Sequence, residues 1–269
     1  RLIFGDDGSA AADVVWLWIN SHDWPGWTIS VVTAHQPAEF AVLPPDRAEL
    51  HPWQPKHPRE LVRPATDTVL EHLTADADPR VVLDSCGDAD LMVVGPRGRG
   101  ALKQLHIGST TEWLLVRPSP PVGIIRAGRA TRRVAVCVDG SRHGVLATRT
   151  VAALPWIAGC EVTVLAVDDG VTDADGAIAQ AGAILQEAGV EAHTLRADGR
   201  HRGHAAGRDV RSLILGELAA LDVDLVALGT RGVGGLRRTF IGSTASAVAL
   251  HATCSVIVAY DPAEERSEA

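Results

Sequence analysis

Short runs dominated by Val, Leu, Ile and Ala alternate along this chain with longer stretches in which apolar residues return every three or four positions. In the second half the short runs are Arg133–Val138, Glu161–Val167, Glu191–Ala197, Asp224–Gly229 and Ser255–Tyr260, and they predict strands. Between them Arg142–Leu154, Ala174–Ala188, Asp209–Leu221 and Ser243–His251 carry the helical period. The first half repeats this order: strands are expected at Leu2–Gly5, Thr28–Ala34, Thr68–Thr74, Asp90–Gly95 and Val122–Arg126, with helices at Ser9–Asn20, Pro79–Cys86 and Ser109–Val116. Strands apolar along their whole length and separated by helices call for a parallel sheet covered on both faces. The pattern therefore predicts an α/β protein of two tandem domains, each a five-stranded parallel sheet.

One place breaks the pattern. Where the first half should hold its second helix, residues 36–64 carry Pro37, Pro44, Pro45, Pro52, Pro55, Pro58 and Pro64. Interior prolines remove helix hydrogen bonds and clash with the preceding turn, so only fragments such as Arg59–Val62 have a chance of being helical. An irregular surface excursion is expected, either a divergent loop or a partner-binding lid. The domains are accordingly read as 1–128 and 131–261, followed by a flexible acidic tail, 262–269.

A glycine pattern closes the fourth strand of each half. GPRGRGALKQLHIGST begins at Gly95 and GTRGVGGLRRTFIGST at Gly229, and both read G-x2-G-x9-G-S-T. Its presence in both halves points to duplication of one building block. Between a strand and a helix, such glycines allow a tight turn and a close approach of backbone to an anion, which the open N–H groups of the following helix would hold. Ser109, Thr110, Ser243 and Thr244 add hydroxyls there, and Arg97, Arg99 and Arg231 lie nearby in sequence. A second pair, Asp7-Gly8-Ser9 and Asp139-Gly140-Ser141, ends the first strand of each half. In an open parallel sheet ligands bind beyond the carboxyl ends of the strands, so aspartate and glycine loop should face each other across one crevice. D-G-S is equally a turn and helix cap, and both readings stand.

Composition narrows the field. A net charge of −8 excludes a general nucleic-acid binder, and no uncharged apolar run approaches the roughly 20 residues of a membrane span. Cys86, Cys137, Cys160 and Cys254 form no C-x-x-C pair and read as buried reduced thiols. The chain shows no signal-peptide pattern and opens at Arg1 inside a strand-like run, which implies a segment upstream; a cytoplasmic location is the default. His201 and His204 lack further ligands at metal-binding spacing, so no metal site is assigned. No catalytic constellation is found: G-x-S-x-G, H-E-x-x-H and the lysine-bearing phosphate loop are all missing. Trp16, Trp18 and Trp113 read as packing residues.

Taken together, a strand ending D-G-S, a buried D-L-[ML]-V-x-G strand and the doubled G-x2-G-x9-G-S-T resemble the ATP-binding class of universal stress proteins over nearly the whole chain. The resemblance implies Rossmann-like domains of strand order 3-2-1-4-5, paired within the chain through their last strands, with ATP in each crevice and Mg2+ or Mn2+ on its phosphates. It implies ribose contacts at Asp7 and Asp139 and main-chain adenine contacts near His35 and Val167. Phosphate and ribose contacts fall on Gly95, Gly98, Gly108, Ser109 and Thr110, and on Gly229, Gly232, Gly242, Ser243 and Thr244. Pro96 departs from the family's small hydroxyl residue and removes an N–H, whereas Thr230 keeps both donor and hydroxyl; this makes the second crevice the expected better binder. The function implied is a nucleotide-dependent regulator of stress adaptation with at most slow hydrolysis. The alternatives are an enzyme cleaving ATP between its α and β phosphates and a scaffold that binds no nucleotide. Further association into a homodimer is left open.

Overall fold

A computed structural model describes residues 1–35, 48–98, 107–116, 120–199, 209–230 and 241–260. The chain divides into two compact units, Arg1–Ala130 and Thr131–Ala269.

The second unit is the regular one. Strands β7 (Arg133–Cys137), β8 (Glu161–Asp168), β9 (Ala192–Asp198), β10 (Leu225–Gly229) and β11 (Ser255–Ala259) all pair in parallel, in the order β11-β10-β7-β8-β9. Their inner residues, from Val134 and Val164 to Val226 and Ile257, are fully buried, as continuous apolar runs in a doubly covered sheet require. Helices α4 (Arg142–Ala152) and α5 (Ala174–Glu187) pack together, as do α6 (Val210–Ala220) and α7 (Ser243–His251). Ser141, Asp173 and Asp209 each accept a hydrogen bond from a first-turn N–H and so start α4, α5 and α6.

In the first unit β1 (Leu2–Gly5), β2 (Thr28–Ala34), β4 (Val69–Ala75), β5 (Leu91–Val94) and β6 (Val122–Ile124) pair in parallel in the order β4-β2-β1-β5-β6. Alternating side chains serve opposite faces. Ile3, Val32, Leu73, Met92 and Val122 pack with Val82 and Leu83 of α2 (Pro79–Asp84) and Leu114 of α3 (Ser109–Leu115). Phe4 stacks instead on Trp16 of α1 (Ala10–Asn20), ring centroids 5.8 Å apart. Seven tryptophans occur in the chain, and all but Trp156 lie in this unit. Trp18, in the last turn of α1, forms an edge-to-face series with Trp24 and Trp27 beyond it, the Trp24 indole donating to Ile19 O at 2.9 Å.

The described part of the proline-rich excursion is not wholly irregular. His51–Pro52 forms a short strand, β3, antiparallel to β4 at the sheet edge, where a proline's missing N–H is tolerated. Residues 59–62 are not helical. Arg59 lies in irregular backbone instead: its N–H donates to His72 Nε2 at 3.1 Å, and its guanidinium lies 5.9 Å from the Phe4 ring centroid. Phe4, Val31 and His72 are in register across β1, β2 and β4. An arginine thus crosses the face where the corresponding strands of the second unit, β8 and β9, carry α5.

Candidate functional site

Each unit turns from its first strand into its first helix through D-G-S. Gly8 and Gly140 adopt φ of 65° and 79°, which other residues adopt only at a cost. Ser9 and Ser141 cap α1 and α4, accepting from Ala12 N at 3.2 Å and Gly144 N at 3.1 Å. The aspartates close the turn: Asp7 Oδ1 accepts from Ser9 N and Asp139 Oδ1 from Ser141 N, both at 3.0 Å. The capping reading of D-G-S therefore holds for the serines. The other oxygen of Asp7 reaches the glycine loop, since a methyl group on Gly98 would lie 2.5 Å from Asp7 Oδ2. Aspartate and glycine loop do face each other in the first unit. Gly232, the corresponding glycine of the second, lies outside the described residues, as do Arg99, Arg231, His201, His204 and the 262–269 tail.

The glycine pattern does more packing than expected. Gly95 and Gly229 are not in the left-handed region; instead, a methyl on Gly95 would lie 2.8 Å from Ala11 Cβ, and one on Gly229 2.5 Å from His143 Cβ. The first glycine of each copy lets a helix seat directly on the strand end. The third glycine closes the loop, Gly108 N donating to Pro96 O at 2.7 Å and Gly242 N to Thr230 O at 2.6 Å. It also leads into a helix without a side-chain cap. Gly108 begins α3 and Gly242 begins α7, and of the seven described α-helices these two alone lack a side-chain oxygen on their first-turn N–H groups. Ser109 and Ser243 stand exposed at these openings, with Thr110 and Thr244 partly so. Sequence reasoning overlooked Thr111, whose hydroxyl donates to Gly95 O at 3.0 Å and ties α3 to the end of β5; Ala245 replaces it in the second unit.

The contrast drawn between Pro96 and Thr230 fails. Thr230 N donates to Ala259 O at 2.8 Å, continuing the sheet, and its hydroxyl shares a 2.9 Å hydrogen bond with His143 Nδ1. Neither group is offered to the crevice, so the proline costs a ladder bond and not a ligand contact. The Thr230–His143 pair has the atoms of a nucleophile and a base, but at 4% and 2% exposure, with Tyr260 against the imidazole, it is sealed in packing.

The positions expected near adenine differ between the units. His35 is exposed beyond β2, its N–H donating to Ala75 O at 3.0 Å and its ring edge-to-face with Trp53 at 5.2 Å. Val167 is buried inside β8, paired with Ala197. The next residue, Asp168, is also buried and accepts from Arg196 and from Gly170 N; its carboxylate helps hold the Arg196 pKa above the ordinary value. Asp6, a residue without a charged counterpart in the second unit, takes a forked ion pair from Arg59: Nε to Oδ2 at 2.8 Å and Nη2 to Oδ1 at 3.1 Å. Arg59 Nη1 meanwhile reaches Asp13 Oδ1 at 2.7 Å. These bonds, that to Asp6 first, raise the Arg59 pKa and keep it charged. The doubled acid in Asp6-Asp7 was the one trace of this network in the sequence. Among the described residues no cluster of three His, Cys, Asp or Glu is placed to hold a metal ion, and no helix is long and apolar enough to cross a membrane.

Parallel sheets wound with helices, with a glycine-led helix following the fourth strand of each unit, define an α/β protein of Rossmann type. Residues 130–259, the second unit, match the universal stress protein family, and that unit belongs to it. A universal stress protein of Mycobacterium tuberculosis is 26% identical over 290 residues, covering 96% of both chains. One of Mycolicibacterium smegmatis is 29% identical over 205 residues, 71% of this chain and 68% of that one. Among solved structures, a universal stress protein from Archaeoglobus fulgidus superposes with a TM-score of 0.64 at 17% identity, covering 96% of this chain and 98% of its own.

Proposed function

We propose that this protein binds adenine nucleotide, as ATP with Mg2+ or Mn2+, and acts as a nucleotide-dependent regulator in stress adaptation, with at most slow hydrolysis. The observation that carries the reading is the pair of helices left without a side-chain cap, α3 and α7, each at the end of the same glycine pattern. A serine or aspartate cap stabilises a helix by about 1 kcal/mol, and five other helices here use one. Leaving two helices open is consistent with an external anion completing them, since the helix dipole and free N–H groups favour negative charge. A polyphosphate at this opening would be held by main-chain N–H groups and by Ser109, Thr110, Ser243 and Thr244. Asp7 and Asp139, at the adjoining turns, would accept from ribose hydroxyls. The metal would screen the phosphates from these aspartates.

Calorimetric titration with ATP and Mg2+ tests the proposal. One or two nucleotides should bind per chain, and absence of heat at millimolar ATP refutes it. The sharper variant is Gly242→Asp, whose extended backbone, φ −59° and ψ 152°, suits a capping residue. It should keep or raise the melting temperature while abolishing binding at the second unit. Unchanged stoichiometry in that variant would remove α7 from the site.

A further inference from the structure

The turn that aims Asp7 at the glycine loop is built differently in the two units. In both, the aspartate of D-G-S accepts from the serine N–H two residues on. In the first unit the preceding residue, Asp6, adds a second bond: its Oδ1 accepts from Gly8 N at 2.9 Å, on the residue whose left-handed φ makes the turn. The same carboxylate carries the fork from Arg59, 53 residues away in the excursion. Val138 stands at this place in the second unit and offers no such acceptor. Arg59 is itself fixed from three sides, by Asp13 of α1, by Phe4 of β1 and by His72 of β4. The Asp6–Arg59 pair is mostly buried, with side chains 12% and 20% exposed, so its geometry is held by packing and not by a solvent-screened surface attraction.

We infer that Arg59 is a positioning residue for the first crevice: by pinning the Asp6 carboxylate on Gly8 it sets the turn that presents Asp7, and by neutralising Asp6 it keeps a second uncompensated negative charge away from an anionic ligand. The proline-rich excursion thereby governs the ligand affinity of the first unit and leaves the second untouched. The inference rests on the proposed nucleotide binding for its affinity readout, and on the Gly8 amide for a readout independent of any ligand.

The test uses the full chain carrying Asp139→Ala, which confines binding to the first unit, with Arg59→Ala, Arg59→Lys and Asp6→Asn introduced separately and Arg59→Ala combined with Asp6→Asn. Arg59→Ala is expected to weaken Mg-ATP binding about tenfold, the scale on which loss of a partner leaves a charge uncompensated. Arg59→Lys should restore part of the loss, since an ammonium neutralises Asp6 but cannot make the fork. The double variant should bind no more weakly than the worse single one, because both act through one pair. In nitrogen-15 correlation spectra the Gly8 amide should shift in Arg59→Ala and Asp6→Asn, and its hydrogen exchange should accelerate, while Gly140 stays in place. Unchanged affinity in Arg59→Ala, or additive losses in the double variant, would overturn the inference. If the unsubstituted chain binds no nucleotide the proposed function fails, and there, as in an Asp139→Ala parent that binds none, the Gly8 amide decides separately: an unmoved signal in Arg59→Ala would overturn the positioning role as well.

Discussion

Replacing Gly229 with alanine would place a methyl carbon 2.5 Å from His143 Cβ, 2.7 Å from the His143 carbonyl carbon and 2.8 Å from Gly144 N. Carbon atoms in contact sit at about 3.5–4.0 Å, so α4 would have to retreat by roughly 1 Å. The obstacle is mostly main chain, and no rotamer change relieves it. Because α4 packs on β7, β10 and β11, the retreat loosens the centre of the second unit. Overpacking of this kind costs about 3 kcal/mol, which for a unit of this size lowers the melting temperature by roughly 10 °C. Gly98→Ala meets an equally short distance, 2.5 Å, but to Asp7 Oδ2, the tip of a side chain. The carboxylate can swing aside for about 1 kcal/mol, so stability should hold while nucleotide affinity in the first unit falls. Gly95→Ala, at 2.8 Å from Ala11 Cβ with main-chain atoms at 3.2 and 3.3 Å, should fall between them in stability. Scanning calorimetry and nucleotide titration on the three variants separate the effects. A Gly229→Ala protein melting within about 2 °C of the parent, or a Gly98→Ala protein melting as low as Gly229→Ala, would refute the division of the glycines into packing and ligand roles.

Two further outcomes are expected. His22 and His72 both have pKa values lowered from the ordinary 6.5, chiefly by burial, and His72 Nε2 must be unprotonated to accept from Arg59 N. Each folded-state pKa lies below its unfolded value, so their stabilisation is complete above pH 6.5 and is lost as pH falls below it, because the unfolded chain takes up protons first. Thermal melts should be flat from about pH 8 to 7 and decline on acidification below 6.5, and His22→Gln should reduce that slope; a slope unchanged by the substitution would exclude His22 as a source. Pro96→Thr restores a main-chain N–H at the position where Thr230 bonds Ala259 O. It should leave first-unit nucleotide affinity within about twofold and change stability by at most about 1 kcal/mol, since the bond restored belongs to the sheet; a tenfold gain in affinity would return that N–H to the ligand.

Patterns local in sequence carried the architecture. Runs such as Val162–Val167 and Leu225–Leu228 are buried strands because a sheet covered on both faces admits few polar side chains, and Asp7-Gly8-Ser9 spells out its own turn and cap. The helix openings at Gly108 and Gly242 were legible for the same reason, each motif lying within one strand, loop and helix. What escaped was decided by contacts between distant residues. The bond between Thr230 and His143 spans 87 positions, and nothing in G-T-R-G tells whether its threonine faces ligand or core. Arg59 looked like part of a failed helix, because its partners Asp6, Asp13 and His72 meet it only after β1, β2 and β4 assemble. Gly95 was read for backbone freedom, whereas its need arises from Ala11 on another element.

The uneven distribution of tryptophan gives the chain a built-in optical label. With six of seven indoles in the first unit and Trp156 alone in the second, intrinsic emission reports almost entirely on residues 1–130. Circular dichroism, to which the helices of both units contribute, has no such bias. An unfolding curve recorded by emission that runs ahead of one recorded by ellipticity would separate the melting of the two units without a single engineered probe.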